Sequence, residues 1–164
     1  MKDKEYIPYT DKCFACGENN PDGIRLRMYR SGERVRAEAK IEERFNGYER
    51  VAHGGVVCAL LDEAMIWAAV VFGSRRTMYV TVEITISYLA PVPTKEEISV
   101  EGWITRDRGR VVECESVVTC KSKPLARGRG KFIDMGSDKL REAKPGIKFD
   151  RAPSFKDFFL TRES

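Results

Sequence analysis

This chain has few of the residues from which metal sites and disulfide frameworks are built. Its 164 residues include one histidine, His53, and five scattered cysteines. Residues 1–10 lack the apolar run of a secretory signal, so we expect reduced thiols rather than a disulfide framework. The expected compartment is the cytoplasm.

Blocks of like charge are also missing. The chain has 29 basic and 25 acidic residues and a formal charge of +4, without a block of consecutive basic residues. This balance disfavours a nucleic-acid partner, although a mild positive charge attracts small molecules that carry phosphate. With 42% apolar residues over 164 positions, the composition predicts one globular domain with one core.

The longest apolar stretch covers residues 56–72, in which only Asp62 and Glu63 are not apolar. It is slightly short for a membrane span and has two acids at its middle, so it predicts a buried core helix and no membrane contact. The helix is expected to begin near Gly54 and to end at Gly73, in the left-handed conformation common at helix ends. Because a buried carboxylate is costly unless it is paired or functional, this helix is expected to carry a site as well as a core.

Strands are predicted on both sides of this helix, where apolar and polar residues alternate or β-branched residues are concentrated. They cover residues 24–29, 35–41, 77–89, 97–106, 111–120 and 125–133. A hairpin turn is expected at residues 107–110, and Asn46-Gly47 predicts a turn in the loop before the helix. Two strands, one helix and four strands predict an α+β fold in which an antiparallel sheet covers the helix.

Three motifs follow one another along the chain in an informative order. They are Phe45-Asn46-Gly47, the segment HGGVVCALLDEAM that begins at His53, and the segment VEITISYLAPV that begins at Val82. Together they resemble the hotdog-fold acyl-CoA thioesterases, in the branch of the 4-hydroxybenzoyl-CoA thioesterase superfamily that includes the phenylacetate-pathway type. The resemblance covers residues 13–134.

This resemblance implies a hotdog fold, in which a curved antiparallel sheet of five to six strands wraps around one long central helix. It implies hydrolysis of an acyl-CoA thioester to a free acid and coenzyme A at the interface of a homodimer, or of a dimer of dimers (a homotetramer). No metal or redox cofactor is implied, because coenzyme A is part of the substrate. The chain then divides into an N-terminal segment with a Cys-x-x-Cys turn (1–23), the thioesterase domain (24–134) and a polar tail (135–164). This tail is expected either to dock by its aromatic rings or to be partly disordered.

The residues at the start of the helix also indicate a site for thioester chemistry, independently of the resemblance to a family. Backbone N–H groups of a first helical turn have no intrahelical partner and lie at the positive end of the dipole, so Gly55 offers a site for a thioester oxygen. Glycine also keeps the approach of the substrate carbonyl open. Asp62 lies seven residues farther on, about two turns or ~10 Å along the axis. A second protomer is therefore expected to complete the site.

By resemblance, Asp62 is the general base or nucleophile and Gly55 the oxyanion donor. His53 is expected to orient the glycine turn, Asn46 resembles a polar residue of the entry loop, and Thr81 a hydroxyl that positions water. The candidates for substrate binding are Gly54, Val56, Glu63, and three arginines whose charges suit the phosphates of coenzyme A, Arg106, Arg108 and Arg110.

Simpler interpretations stay open for several of these residues. Asp62 is alternatively a structural buried carboxylate. Glu63 is expected to be a structural partner of an arginine or a backbone group, with the role of the base as its alternative, and the three arginines are alternatively a solvated hairpin tip. Cys13 and Cys16 have the spacing of half a zinc site, but no second pair at ligand spacing is present. A compact turn is therefore favoured there over a zinc site that a symmetric dimer assembles from two such pairs, and no metal is expected.

Other functions are weighed against the hydrolase. A non-catalytic acyl-CoA-binding module is the alternative from another class. A hotdog dehydratase is disfavoured, because its Asp–His pairing needs a histidine that His53 does not supply at the right place. A zinc-ribbon nucleic-acid protein would depend on Cys13 and Cys16 alone. The acyl group itself stays open.

Overall fold

The structure is a computed structural model that describes residues 4–159. The outer ends of the N-terminal segment and the tail, residues 1–3 and 160–164, lie outside the described residues. The strands are β1 (Glu5–Tyr6), β2 (Tyr9–Thr10), β3 (Tyr29–Ser31), β4 (Arg34–Lys40), β5 (Asn46–Tyr48), β6 (Val51–Ala52), β7 (Tyr79–Tyr88), β8 (Glu97–Asp107), β9 (Val111–Cys120), β10 (Lys123–Asp134) and β11 (Ile147–Lys148). The α-helices are α1 (Gly54–Phe72) and α2 (Ser137–Ala143), with short 3-10 turns at Glu43–Phe45, Lys144–Gly146 and Pro153–Phe155.

Within the described residues, seven strands form one antiparallel sheet in the order β1-β3-β4-β8-β9-β10-β7. Every second residue of β9 is buried, because successive side chains of a strand point to opposite faces. Helix α1 packs against β4 and against each of the four long strands from β7 to β10. The predicted α+β arrangement is confirmed, with one strand more than the five to six expected. The additional strand β1 has only two residues, too few for an alternating pattern to be visible.

Helix α1 is the core of the fold. By length and composition alone it is apolar enough to cross a membrane, but the fold buries 61% of its most apolar window, as in the core helix of a globular protein. It ends before Gly73, whose φ of −63° shows that the predicted left-handed cap is wrong. Glycine has a different purpose there, since a Cβ atom would lie 2.9 Å from the Tyr79 hydroxyl and against the carbonyl oxygen of Ala69.

Close packing also explains Gly102, in the middle of β8. A Cβ atom at this position would overlap the backbone carbonyl of Ala64 and lie 2.9 Å from the backbone nitrogen of Met65. The backbone of α1 therefore rests directly on β8. This contact fixes the turn of the helix that carries Asp62 and Glu63.

The strand predicted at residues 24–29 is wrong except for its last residue, because β3 begins there. The backbone N–H groups of Ile24 and Leu26 donate to the carbonyl oxygens of Phe14 and Ala15, each at 2.8 Å. This segment is therefore hydrogen-bonded to the N-terminal region instead of to the sheet. An alternating pattern of apolar and basic residues does not show whether a segment pairs with the sheet or with the N-terminal region.

The turn predicted at Asn46-Gly47 also lies elsewhere. Both residues belong to β5, which pairs with β6, and the chain reverses at residues 49–50, where Arg50 has a φ of 62°. The hairpin predicted at 107–110 is confirmed, with Gly109 at a φ of 75°.

The described part of the tail packs on the fold through aromatic rings, as predicted. Strand β11 pairs with β2, and Phe155 is buried in the core. Phe158 contacts both Phe155 and Phe159, at ring-centroid distances of 5.6 and 5.1 Å.

Candidate active site

The start of α1 is closed by its own N-cap residue. His53 Nδ1 accepts a hydrogen bond of 3.0 Å from the Gly55 N–H, and the His53 carbonyl oxygen accepts from Val56 and Val57. The exposed imidazole thus contacts the glycine turn that it was predicted to orient. The Gly55 N–H, expected from the sequence to be without a partner, is occupied in this structure. A ligand oxygen must therefore displace the His53 ring to reach it.

Asp62 lies two turns farther along α1, half-buried, on the side that faces β7. Its Oδ1 accepts a hydrogen bond of 2.9 Å from the Thr81 hydroxyl. Burial raises the pKa of Asp62, and the bond from Thr81 opposes that shift. Within residues 4–159, no basic side chain forms an ion pair with this carboxylate. Asp62 is thus oriented, but its charge is not neutralised.

A β-bulge brings Thr81 to Asp62. Val82 is an extra residue in β7, because the pairing with β10 passes from Glu83 directly to Thr81. Without the bulge, alternation would place Thr81 and Tyr88 on opposite faces of the sheet. With it, both side chains reach α1, Thr81 at Asp62 and Tyr88 at the first helical turn.

An open groove of about 420 Å³ lies beside the first turn of α1. Its lining is mainly apolar and includes Tyr48, Val57 and Pro91. Tyr88 borders it and donates a hydrogen bond of 2.7 Å to the carbonyl oxygen of Gly54. A groove of this kind can accept the apolar part of a ligand whose polar end reaches the helix start.

Cys58 is a site neighbour that the sequence reasoning missed. It lies midway between Gly54 and Asp62, four residues from each, and so on the same face of α1. Burial, together with the charge of Asp62, raises the pKa of its thiol. The four-residue spacing on the predicted helix was the signal that could have identified it.

Asn46 and Val56 adjoin the helix start. Asn46 pairs with Ala52 next to His53, and its buried Oδ1 has no hydrogen-bond partner among the described residues. Buried polar atoms are usually paired, so this oxygen can accept a bond from a ligand or a water molecule. Val56 is buried in the first turn and offers its backbone rather than its side chain.

Glu63 points away from Asp62 into the core. Its Oε1 accepts a hydrogen bond of 2.8 Å from Trp67 Nε1, and its Oε2 lies 3.6 Å from the Cys13 sulfur. The predicted partner, an arginine or a backbone group, is therefore wrong. With 8% of its surface exposed, Glu63 is too deeply buried to line the groove.

The three arginines lie at the other end of α1. Arg106, Arg108 and Arg110 are exposed around the β8–β9 hairpin. Asp107 connects this hairpin to Ser74, just beyond the end of α1, by accepting a bond of 2.6 Å from its backbone N–H. A helix of this length spans about 28 Å, so one protomer does not bring the arginines to the helix start.

Comparison with known proteins agrees with this architecture. Residues 49–126 match the family model of the thioesterase superfamily. The matched segment thus resembles the thioesterase superfamily. The resemblance predicted from the sequence is thus confirmed, and so is the hotdog fold. The comparison with curated proteins found no match.

Solved structures of thioesterase-superfamily proteins share the fold. One crystal structure of a superfamily protein has a TM-score of 0.67 at 21% identity, and the match covers 76% of this chain but 61% of that one. A thioesterase superfamily protein from Shewanella loihica has 26% identity and a TM-score of 0.58, covering 68% of this chain and 91% of that one. A Streptococcus mutans protein bound to acetyl CoA has 19% identity and a TM-score of 0.60, covering 67% and 88%.

Proposed function

We propose that this protein hydrolyses an acyl-CoA thioester to a carboxylic acid and coenzyme A. The observation that carries the proposal is the half-buried carboxylate of Asp62, oriented by Thr81 and lacking a basic partner within residues 4–159. It shares a helix face with the first turn of α1 and the apolar groove. The acetyl CoA bound to the Streptococcus mutans relative supports the choice of ligand class.

The chemistry requires one base and one oxyanion donor. Asp62 either takes a proton from water or attacks the thioester carbonyl itself. In the first case, the hydroxide adds to the carbonyl carbon, the C–S bond breaks, and the proton passes from Asp62 to the departing thiolate. A carboxylate whose pKa is raised by burial is a stronger base than an exposed one. The Thr81 hydroxyl fixes Oδ1, so Oδ2 is the oxygen left for the water or the substrate.

The Gly55 N–H is the proposed oxyanion donor. As the substrate oxygen becomes negatively charged during attack, it would take the place of His53 Nδ1, exchanging one acceptor for another at an exposed position. Such an exchange costs little, since an exposed hydrogen bond contributes about 0.5–1.5 kcal/mol. Asn46, whose Oδ1 lacks a partner among the described residues, can accept a hydrogen bond from a water molecule beside this position.

A second protomer is part of this proposal. Gly55 and Asp62 are separated by about 10 Å along the axis, too far for both to contact one carbonyl group. Strand β7 ends the sheet, and it exposes Val80, Val82 and the nearby Leu89 by 43, 63 and 55%. An apolar sheet edge is a natural surface for pairing with a second copy, which would bring Asp62 of one protomer to Gly55 of the other. We therefore propose a homodimer, which in turn can pair into a tetramer.

Replacing Val82 with Lys is expected to dissociate this dimer. A charge at the pairing edge would be desolvated on assembly. Analytical ultracentrifugation should therefore show the wild type at twice the 18.7 kDa chain mass, or at a larger multiple where dimers pair, and the variant without this dimer. Thioester hydrolysis should fall with the loss of the dimer. The same substitution at Ser31, exposed in β3 near the opposite edge of the sheet, should change neither property. A wild-type monomer with full activity would refute the shared site.

The function itself is tested by measuring free thiol released from a panel of short-chain, long-chain and aromatic acyl-CoAs. The wild type should release coenzyme A well above the uncatalysed rate from at least one member. Binding of acyl-CoA without thiol release would instead support the non-catalytic binding module. The five unpaired cysteines agree with the proposed cytoplasmic setting.

A further inference from the structure

Three potential metal ligands meet on the side of α1 that faces away from the groove. The sulfurs of Cys13 and Cys16 and a carboxylate oxygen of Glu63 all lie within 4.8 Å of one another. Cys16 and Glu63 are buried, and Cys13 is half-buried. Ligand atoms around a tetrahedral zinc ion are roughly 3.3–3.8 Å apart, so these three groups need only small rotations to share one ion.

The N-terminal turn holds both sulfurs in place. The Gly17 N–H donates to the Cys13 carbonyl oxygen at 3.0 Å and closes the turn. Backbone N–H groups also point at the sulfurs, that of Ala15 at Cys13 Sγ (3.3 Å) and that of Thr10 at Cys16 Sγ (3.5 Å). Donors of this kind favour thiolates, the form of cysteine that binds metal.

Glu63 is held just as firmly. The Trp67 indole N–H fixes Oε1 at 2.8 Å, which leaves Oε2 directed at the cysteines. A partner that orients a ligand from behind is a regular feature of protein metal sites. Within residues 4–159, no lysine, arginine or histidine forms an ion pair with Glu63.

We propose that Cys13, Cys16 and Glu63 bind a zinc ion that fastens the N-terminal segment to the core helix. Two sulfurs and one oxygen suit zinc, which binds both thiolate and carboxylate ligands in proteins. Zinc also has no redox chemistry, so it does not oxidise the thiolates that bind it. Water is the fourth ligand, reaching the ion from the half-exposed side at Cys13. Binding releases the thiol protons to solvent. Only the two cysteines are recognisable as ligands from their spacing in the sequence. The fold brings the third ligand, Glu63, to them from fifty residues farther along the chain.

The full-length protein, purified under reducing conditions without chelator, should contain close to one zinc per chain by elemental analysis. After exchange of zinc for cobalt, the sulfur-to-cobalt charge-transfer band and the visible bands of tetrahedral cobalt should appear. The Glu63→Gln variant keeps the Trp67 neighbour but should bind cobalt at least ~10-fold more weakly. Cys120→Ser is the matched control, because this thiol lies near Glu96 outside the cluster, and it should bind like the wild type.

Treatment of the wild type with a chelator tests the site without depending on whether a variant folds. Chelation should lower the thermal midpoint of the wild type and of Cys120→Ser, and have no effect on Cys13→Ser. The proposal is overturned if the reduced wild type contains no zinc and gives no charge-transfer band with cobalt. It is also overturned if the protein purified without chelator and under reducing conditions has a mass lower by two hydrogens and contains no zinc, because the two thiols would then be held as a disulfide instead of as metal ligands.

Discussion

Replacing Asp62 with Asn is expected to lower the turnover of thioester hydrolysis by at least ~100-fold while the protein stays folded. Asparagine preserves the shape of the side chain and can still accept the bond from Thr81, but it can neither take a proton nor attack a carbonyl. Turnover is measured by thiol release at saturating acyl-CoA. Glu83→Gln is the matched control, since this exposed carboxylate of β7 pairs with Lys131 and should be dispensable. Equal turnover in Asp62→Asn and the wild type would refute Asp62 as the base or nucleophile.

We also expect Asp62→Asn to change how the free energy of unfolding depends on pH. Because burial raises the pKa of Asp62, the folded protein binds more protons than the unfolded chain between the ordinary and the raised value. The free energy of unfolding of the wild type therefore falls as pH rises through this interval. The asparagine of the variant carries no charge, so the stability of Asp62→Asn relative to the wild type should increase over the same interval and then level off. Denaturant unfolding in a pH series measures this difference, and a variant that loses stability relative to the wild type as pH rises would contradict the burial of a charge at this position.

Replacing Gly102 with Ala is expected to be the most damaging single-methyl change in the sheet. The new Cβ would overlap the backbone of α1 at Ala64 and Met65, which cannot move aside as a flexible side chain does. Overpacking of a core costs about 1–3 kcal/mol or more, and a clash with backbone belongs at the upper end of that range. The shifted helix turn also carries Asp62, so turnover should fall together with stability.

Gly146→Ala provides the control for this prediction. A Cβ atom there meets only the Thr10 methyl group at 3.8 Å, an ordinary contact. Its denaturation midpoint should stay close to that of the wild type, whereas that of Gly102→Ala should fall sharply. A Gly102→Ala protein as stable as the wild type would mean that α1 does not rest on β8.

Much of the fold could be predicted from residue patterns that report burial. The apolar run of α1 and the alternation of β9 set the bounds of these elements, because their side chains decide which face is buried. Patterns of this kind do not show which backbone groups pair. Residues 24–28 alternate like a strand, yet the N–H groups of Ile24 and Leu26 bond to the N-terminal region.

The candidate site was less predictable, because it depends on contacts between distant segments. Thr81 reaches Asp62 only because Val82 is an extra residue in β7, and no local signal marks that bulge. Glu63 resembles a member of an acidic pair in the sequence, whereas in the fold it faces Cys13. Its neighbours could not be inferred from spacing along the chain.

The imidazole of His53, which closes the start of α1, affects how tightly the site binds the reacting species compared with the resting substrate. In this structure the Gly55 N–H already has an acceptor, the imidazole of His53. A neutral thioester carbonyl is a poor competitor for that proton, while the negatively charged oxygen formed during attack is a strong one. Under the proposed mechanism, the donor is therefore released mainly when charge develops, so the enzyme binds the reacting species more tightly than the resting substrate.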